Sequence, residues 1–265
     1  MDEYLKVAKE AALKAGKMLW KNFKEAREIY FKGEINLVTH FDTLSQNMIF
    51  EHLSASFPDH GFLAEEDLSK ERGAEFLWLI DPIDGTTNFA HKFPVFCVSI
   101  ALEKKGKIVL GIVYDPTRDE MFWAVEGGGS FLNGEKIRVS SVDDLGKGLV
   151  ATGFPYDIRE SEINNIDHFN NFAKRVQAIR RCGSAAMDLC YVACGRFDGF
   201  WELKLSPWDV AAGALIVKES GGQISDFQNA DHSIYGLETL ATNGLIHRQM
   251  IDILQLGKQM VKIEK

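Results

Sequence analysis

Two aspartates three residues apart, Asp81 and Asp84, follow the apolar run Phe76-Leu-Trp-Leu-Ile80 and sit in the string Asp-Pro-Ile-Asp-Gly-Thr-Thr-Asn from 81 to 88. Five apolar residues with aromatic and β-branched members predict a short buried strand. Pro82 fixes φ and lacks an N–H, so the chain is expected to leave the sheet there. Gly85 frees the backbone, and Thr86, Thr87 and Asn88 suit a turn or the first turn of a helix. Two carboxylates at a strand end, beside the free N–H groups of a helix start, offer hard oxygen ligands to a divalent cation and a seat for a phosphate. A lone Asp-x-x-Asp is usually a turn whose aspartates cap N–H groups, but the ordered string here is far more specific. Hydrolysis of a phosphate monoester needs charge neutralised, a water activated and a leaving oxygen stabilised. Mg²⁺ held by several carboxylates supplies all three.

A second long stretch lies downstream, Pro207-Trp-Asp-Val-Ala-Ala-Gly-Ala-Leu-Ile-Val-Lys-Glu-Ser-Gly-Gly222. Asp209 can cap its helix, and Gly221 can take the left-handed position after the helix end. Trp78–Phe89 and Pro207–Gly222, in this order, resemble the two signatures of the inositol monophosphatase family of Mg²⁺-dependent phosphatases. The likeness also covers much of the chain around them.

The resemblance implies an α/β chain in the five-layer α/β/α/β/α sugar-phosphatase fold, with two or three Mg²⁺ ions. It makes Glu65, Asp81 and the carbonyl of Ile83 ligands of the first ion. Asp81, Asp84 and Asp209 then hold the second, and a third ion lies near Glu65. Asp42 becomes the partner of Thr86, whose hydroxyl orients the attacking water, with Glu65 counted among the catalytic residues. Substrate is expected at Glu65, Ile83, Asp84, Gly85, Thr86, Gly183, Ser184, Ala185, Glu202 and Asp209. Of these, Gly183-Ser-Ala185 is similar to the family's Gly-Thr-Ala loop, and Glu202 stands seven residues before Asp209, as the family's hydroxyl-binding glutamate does. Lys32 resembles a lysine near the active site, although the loop is one residue shorter here. The implied reaction is hydrolysis of myo-inositol monophosphate. Fructose-1,6-bisphosphatase or a dual-activity enzyme is the alternative, and an adenosine-3′,5′-bisphosphate phosphatase comes third. A regulatory protein without chemistry would have no need of intact Glu65, Asp81, Asp84, Thr86 and Asp209. A cytoplasmic homodimer is the family expectation.

These residues need elements to position them. Leu5, Ala8, Ala12, Ala15 and Leu19 recur at helical steps and predict a helix over 2–23. A second is expected near 42–57, with Leu44, Met48, His52 and Leu53 facing inward. Residues 93–142 carry strand-and-turn grammar, with strands at 95–103, 107–114 and 120–125, and predict an antiparallel meander. The run Gly127-Gly-Gly129 lacks a following Gly-Lys-Ser/Thr and reads as a turn, not a phosphate loop. From 148 onward strands and helices alternate. The chain is expected to be one domain over 1–265, with halves near 1–142 and 143–265 sharing a continuous interface.

The 265 residues are 46% hydrophobic and 26% charged, ordinary for a globular protein with a sizeable core. No apolar run reaches the length of about 18 residues that spans a membrane, and no basic, apolar leader opens the chain. The net charge of −8 argues against nucleic acid. It does not exclude an anionic substrate, because bound cations invert the local field. Cys97, Cys182, Cys190 and Cys194 form no Cys-x-x-Cys pair and read as reduced core thiols. None of the seven histidines falls in a motif. No Ser-His-Asp or Cys-His arrangement is evident, so direct attack by water is favoured over a covalent intermediate.

Overall fold

The computed structural model describes residues 1–23, 29–31, 37–66, 68–70 and 73–260. The strand after which the others are ordered is β5 (Phe76–Asp84), buried almost from end to end. Its residues alternate between two cores: Trp78 and Ile80 face one, Leu77 and Leu79 the other. A strand covered on both faces has no polar side to show, which is why it reads as a continuous apolar run. β5 does not stop at Pro82 as expected. It continues to Asp84 through a bulge, with Asp81 opposite Ser99 and Asp84 opposite Cys97 of β6 (Cys97–Lys104). The bulge absorbs one extra residue, and Pro82, which has no N–H to give the ladder, falls inside it.

β5 and β6 sit in an eight-stranded sheet with β3 (Gly61–Ala64), β4 (Ser69–Lys70), β7 (Lys107–Asp115), β8 (Glu120–Val125), β9 (Gly129–Leu132) and β10 (Glu135–Lys136). The order is β10-β9-β8-β7-β6-β5-β3-β4, with β3 parallel to β5 and the other pairs antiparallel. The run from β6 to β10 is the expected meander. The glycine turn between β8 and β9 is closed by Glu219, whose carboxylate accepts from the N–H groups of Gly127 and Gly129 at 2.8 Å each. Helices α1 (Asp2–Asn22) and α2 (His40–Ser56) cover the outer face. A two-stranded ribbon, β1 (Ile29–Phe31) with β2 (Leu37–Thr39), lies between them in sequence.

The inner face is covered by α5 (Ala185–Ala193) and α6 (Pro207–Glu219), both buried nearly all round. Small residues let α6 come close. A Cβ on Gly111 of β7 would stand 2.7 Å from the Ala212 carbonyl oxygen. Behind these helices lies a five-stranded sheet, β12-β11-β13-β15-β14, built from β11 (Leu149–Thr152), β12 (Ala178–Arg180), β13 (Gly199–Leu203), β14 (Gln223–Ser225) and β15 (Glu238–Thr242). α4 (Ile166–Ala173) and α7 (His247–Met260) close the outside over Trp201, Leu240 and Phe227. These are the five layers α/β/α/β/α. One further short helix, α3 (Thr86–Ala90), leaves the end of β5.

The inner face of α2 differs from the expected one. Asp42, Ser45, Gln46, Ile49 and Leu53 are buried, while Leu44, Met48 and His52 keep partial exposure. Three polar residues take the inward stripe because their side chains meet backbone groups and a hydroxyl at the sheet's end, which hydropathy does not register. α6 begins two residues earlier than its aspartate. Ser206 is the N-cap, Pro207 takes the first position, and Asp209 is the third residue of a capping box.

Candidate active site

β5 delivers three of the predicted residues to one point. Asp81 is 2% exposed, and its Oδ1 accepts from the N–H of Ile83 at 3.0 Å. Asp84 follows the bulge, and Gly85, with φ of 101°, turns the chain into α3. At that turn a Cβ would stand 3.0 Å from the Val95 carbonyl oxygen, so the position suits only glycine. Thr86 is then held over Asp42 of α2, and its hydroxyl donates to Asp42 Oδ1 at 2.8 Å. The Ile83 carbonyl oxygen lies 3.0 Å from the same hydroxyl. Gln46, one turn further along α2, pairs its side-chain amide with the backbone of Glu66: Nε2 donates to the carbonyl at 2.9 Å and Oε1 accepts from the N–H at 3.0 Å. That fixes the chain leaving β3, and with it Glu65.

The second half of the chain closes the site. The Ser184 hydroxyl and the Ala186 N–H both donate to Asp84 Oδ2, at 2.7 and 2.6 Å, and the Cys97 thiol lies 3.8 Å from it. The start of α5 is thus aimed at a carboxylate about 100 residues upstream, leaving the other Asp84 oxygen uncommitted by these donors. Asn88 of α3 reaches the same loop, donating to the Cys182 carbonyl at 2.8 Å. Asp209 accepts from the Ser206 N–H at 2.7 Å while keeping part of its surface open. Glu202 lies near the end of β13 against Gly153, where any Cβ would overlap its carboxylate. Asp81, Asp84, Thr86, Ser184, Glu202 and Asp209 line one pocket of about 570 Å³. Tyr156, 58% exposed, stands at its mouth. Every predicted site residue from Glu65 to Asp209 lines it, apart from Asp42, which stands behind Thr86. No histidine is among its lining residues. Lys32 lies outside the described residues.

Like charges converge here. Burial, and then Glu65, Asp84, Asp209 and Asp42 around it, hold the Asp81 carboxyl well above the usual carboxylate range. Burial also raises Asp84, against the pull of its Ser184 and Ala186 donors. Asp209 is raised by burial and by the neighbouring Asp84. Among the described residues no three Asp, Glu, His or Cys side chains are grouped closely enough to hold a metal ion as they stand. The donor set nonetheless fits a hard divalent cation: oxygens only, with more negative charge than the space favours unaided. Burial and the neighbouring Asp188 push Glu202 up to about 8.

The profile of the inositol monophosphatase family matches residues 1–255. The chain belongs to the inositol monophosphatase family. It is 42% identical to inositol monophosphatase 1 of Solanum lycopersicum over 97% of both chains. A solved inositol monophosphatase from Anabaena (Nostoc) superposes with a TM-score of 0.89 at 41% identity, covering 96% of each chain. Nus factor SuhB of Pseudomonas aeruginosa is 38% identical over 96% of this chain and 97% of its own. As an inositol monophosphatase family member the protein is a phosphoric monoester hydrolase. No helix among its described residues is long and apolar enough to cross a membrane.

Several pocket residues carry no sequence-based expectation, Gly153, Tyr156, Asp188 and Lys204 among them. Asp188 has a readable signal, since it is the one charged residue in the apolar helix Ala185–Ala193. Gly153, Tyr156 and Lys204 lie in loops where spacing says nothing.

Proposed function

We propose that this family member hydrolyses myo-inositol monophosphate to inositol and phosphate, with two or three Mg²⁺ ions, as a cytoplasmic homodimer. The observation that carries the catalytic reading is the convergence of Glu65, Asp81, Asp84 and Asp209 on the Thr86–Asp42 pair, in a pocket that continues to Glu202. Glu65, Asp81 and the Ile83 carbonyl would hold one ion, Asp81, Asp84 and Asp209 a second, and a third would lie near Glu65. Bound Mg²⁺ supplies charge neutralisation at the phosphoryl oxygens, a lowered water pKa and stabilisation of the leaving oxygen.

The protein's own groups do the rest. Thr86 directs its hydroxyl proton toward Asp42, so an Oγ1 lone pair is left to accept from a water and orient it toward phosphorus. The N–H groups of Gly85 and Thr86 meet the phosphate where the chain enters α3. Ser184 serves through Asp84, to which its hydroxyl is bonded, while the Gly183–Ala185 backbone borders the substrate. Glu202 accepts from hydroxyls of the alcohol portion. The test is phosphate release from inositol-1-phosphate, fructose-1,6-bisphosphate and adenosine-3′,5′-bisphosphate, each with Mg²⁺ and with EDTA. Inositol-1-phosphate should show the highest kcat/KM, with release lost in EDTA. A higher value for either bisphosphate would replace the substrate, and no release from any would leave a binding protein.

A further inference from the structure

Asp188 takes no part in the function proposed above, yet its side chain is the hardest in the pocket to account for. It lies one turn into α5, is 1% exposed, and borders the pocket that Glu202 enters from β13. Cys182 lies beside its carboxyl, Oδ1 is shut off from solvent without a hydrogen-bond partner, and the carboxyl meets the pocket through its other oxygen, Oδ2. A thiol is a weak donor, so a buried group with strong hydrogen-bonding capacity is left mostly unfilled. Asp188 is also the foremost charged neighbour of Glu202, and Arg181 stands near both. Two carboxyls from different layers therefore line the same pocket beside one another.

We propose that Asp188 is a second hydroxyl-binding residue, taking one hydroxyl of the alcohol portion while Glu202 takes another. The inference rests on the reading of the site as a phosphatase for a polyol ester and narrows its substrate class to esters with two hydroxyls in reach of these two carboxyls. Charge selects the ligand group. A second phosphate or a carboxylate would meet Glu202 and Asp84 as well as Asp188 and be repelled. A hydroxyl fits whether the buried acid is ionised or protonated, because it can donate to the one and accept from the other. A hydroxyl-free ester covers Oδ2 without giving it a partner, a penalty that discriminates strongly between substrates.

The test compares inositol-1-phosphate with p-nitrophenyl phosphate in wild type, Asp188→Ala and Asp188→Asn, with Mg²⁺ saturation followed separately by the melting-temperature shift. Asp188→Ala should lower the preference for inositol-1-phosphate by about 10- to 100-fold, the range of a lost hydrogen bond to a charged group. Asp188→Asn, which keeps an acceptor oxygen, should restore part of it, and the Mg²⁺ shift should persist in both. Equal losses on both esters, or no change in preference, would overturn the assignment. Wild type also tests it without any variant, using inositol-1-phosphates that each lack one hydroxyl. Two different deoxygenations must each lower kcat/KM, and a single sensitive position would overturn the proposal. A wild type with no preference for inositol-1-phosphate over p-nitrophenyl phosphate would instead sink the underlying substrate reading, whatever the variants do.

Discussion

Glu202→Gln separates stability from recognition at one atom pair. The carboxyl is 8% exposed, and burial with Asp188 nearby lifts it from about 4.5 to about 8. A carboxyl raised in the folded state contributes its full stability below the unfolded value and loses it as pH climbs toward the folded one. Each pH unit in that window costs about 1.4 kcal/mol. At pH 7 the ionisable side chain therefore costs about 3 kcal/mol relative to a neutral amide of the same shape, and at pH 5.5 about 1 kcal/mol. Urea melts in EDTA should show the variant more stable than wild type by these amounts, with a gap that widens as pH rises. Activity should move the other way. Bound Mg²⁺ favours the ionised carboxyl in the working enzyme, so there the amide loses a charge-assisted hydrogen bond to a substrate hydroxyl, and kcat/KM for inositol-1-phosphate should fall by about 1–3 kcal/mol, while p-nitrophenyl phosphate suffers much less. A stability gap independent of pH would refute the buried carboxyl. Equal kinetic losses on the two esters would remove Glu202 from recognition.

Other perturbations test the remaining parts. Thr86→Ala should lower kcat by roughly 10²–10⁴-fold while the Mg²⁺-induced rise in melting temperature persists, and near-normal turnover would break the Asp42–Thr86–water relation. Asp209→Asn should melt later than wild type in EDTA, increasingly so as pH rises above the ordinary carboxylate range, because the raised acid is gone. The same variant should show a smaller Mg²⁺ shift and little activity; an unchanged shift with retained activity would leave Asp209 as a helix-capping residue only. Ser184→Ala frees Asp84 Oδ2 from its hydroxyl donor and should weaken Mg²⁺ binding in a melting titration, while Ser184→Thr, which keeps the hydroxyl, should not.

Much of this site is legible in local sequence chemistry. β5 announces itself because both its faces are buried, and the meander because its turns carry Gly, Asn and Asp-Pro. The aspartates proposed as metal ligands are readable as candidates because their string is long and ordered. What stays hidden depends on partners far along the chain. Nothing near Ser184 says that its hydroxyl will meet Asp84, and nothing near Ser45 or Gln46 says that an inward stripe will be polar. The bulge at Pro82 escapes a local reading because a proline ends a regular ladder but not an irregular one. Asp188 stands out as the one acid in an apolar helix, but that signal acquires a meaning only beside the pocket that the fold assembles.

The central helix layer has a consequence for how the protein is made. The inner faces of β5 to β8, with Leu77, Leu79, Val113 and Phe122, are covered chiefly by α5 and α6 among the described residues. Pro207 leaves the ribosome about 80 residues after Val125, so at about 5–20 residues per second that apolar sheet stands open for roughly 4–16 s of synthesis. Close contacts such as Gly111 with Ala212 admit the late helix only in its final seat. The nascent protein is thus an adhesive half-sandwich for much of its birth. Its vulnerability to aggregation is set by the delay before residues 207–219 arrive, more than by the stability of the finished fold.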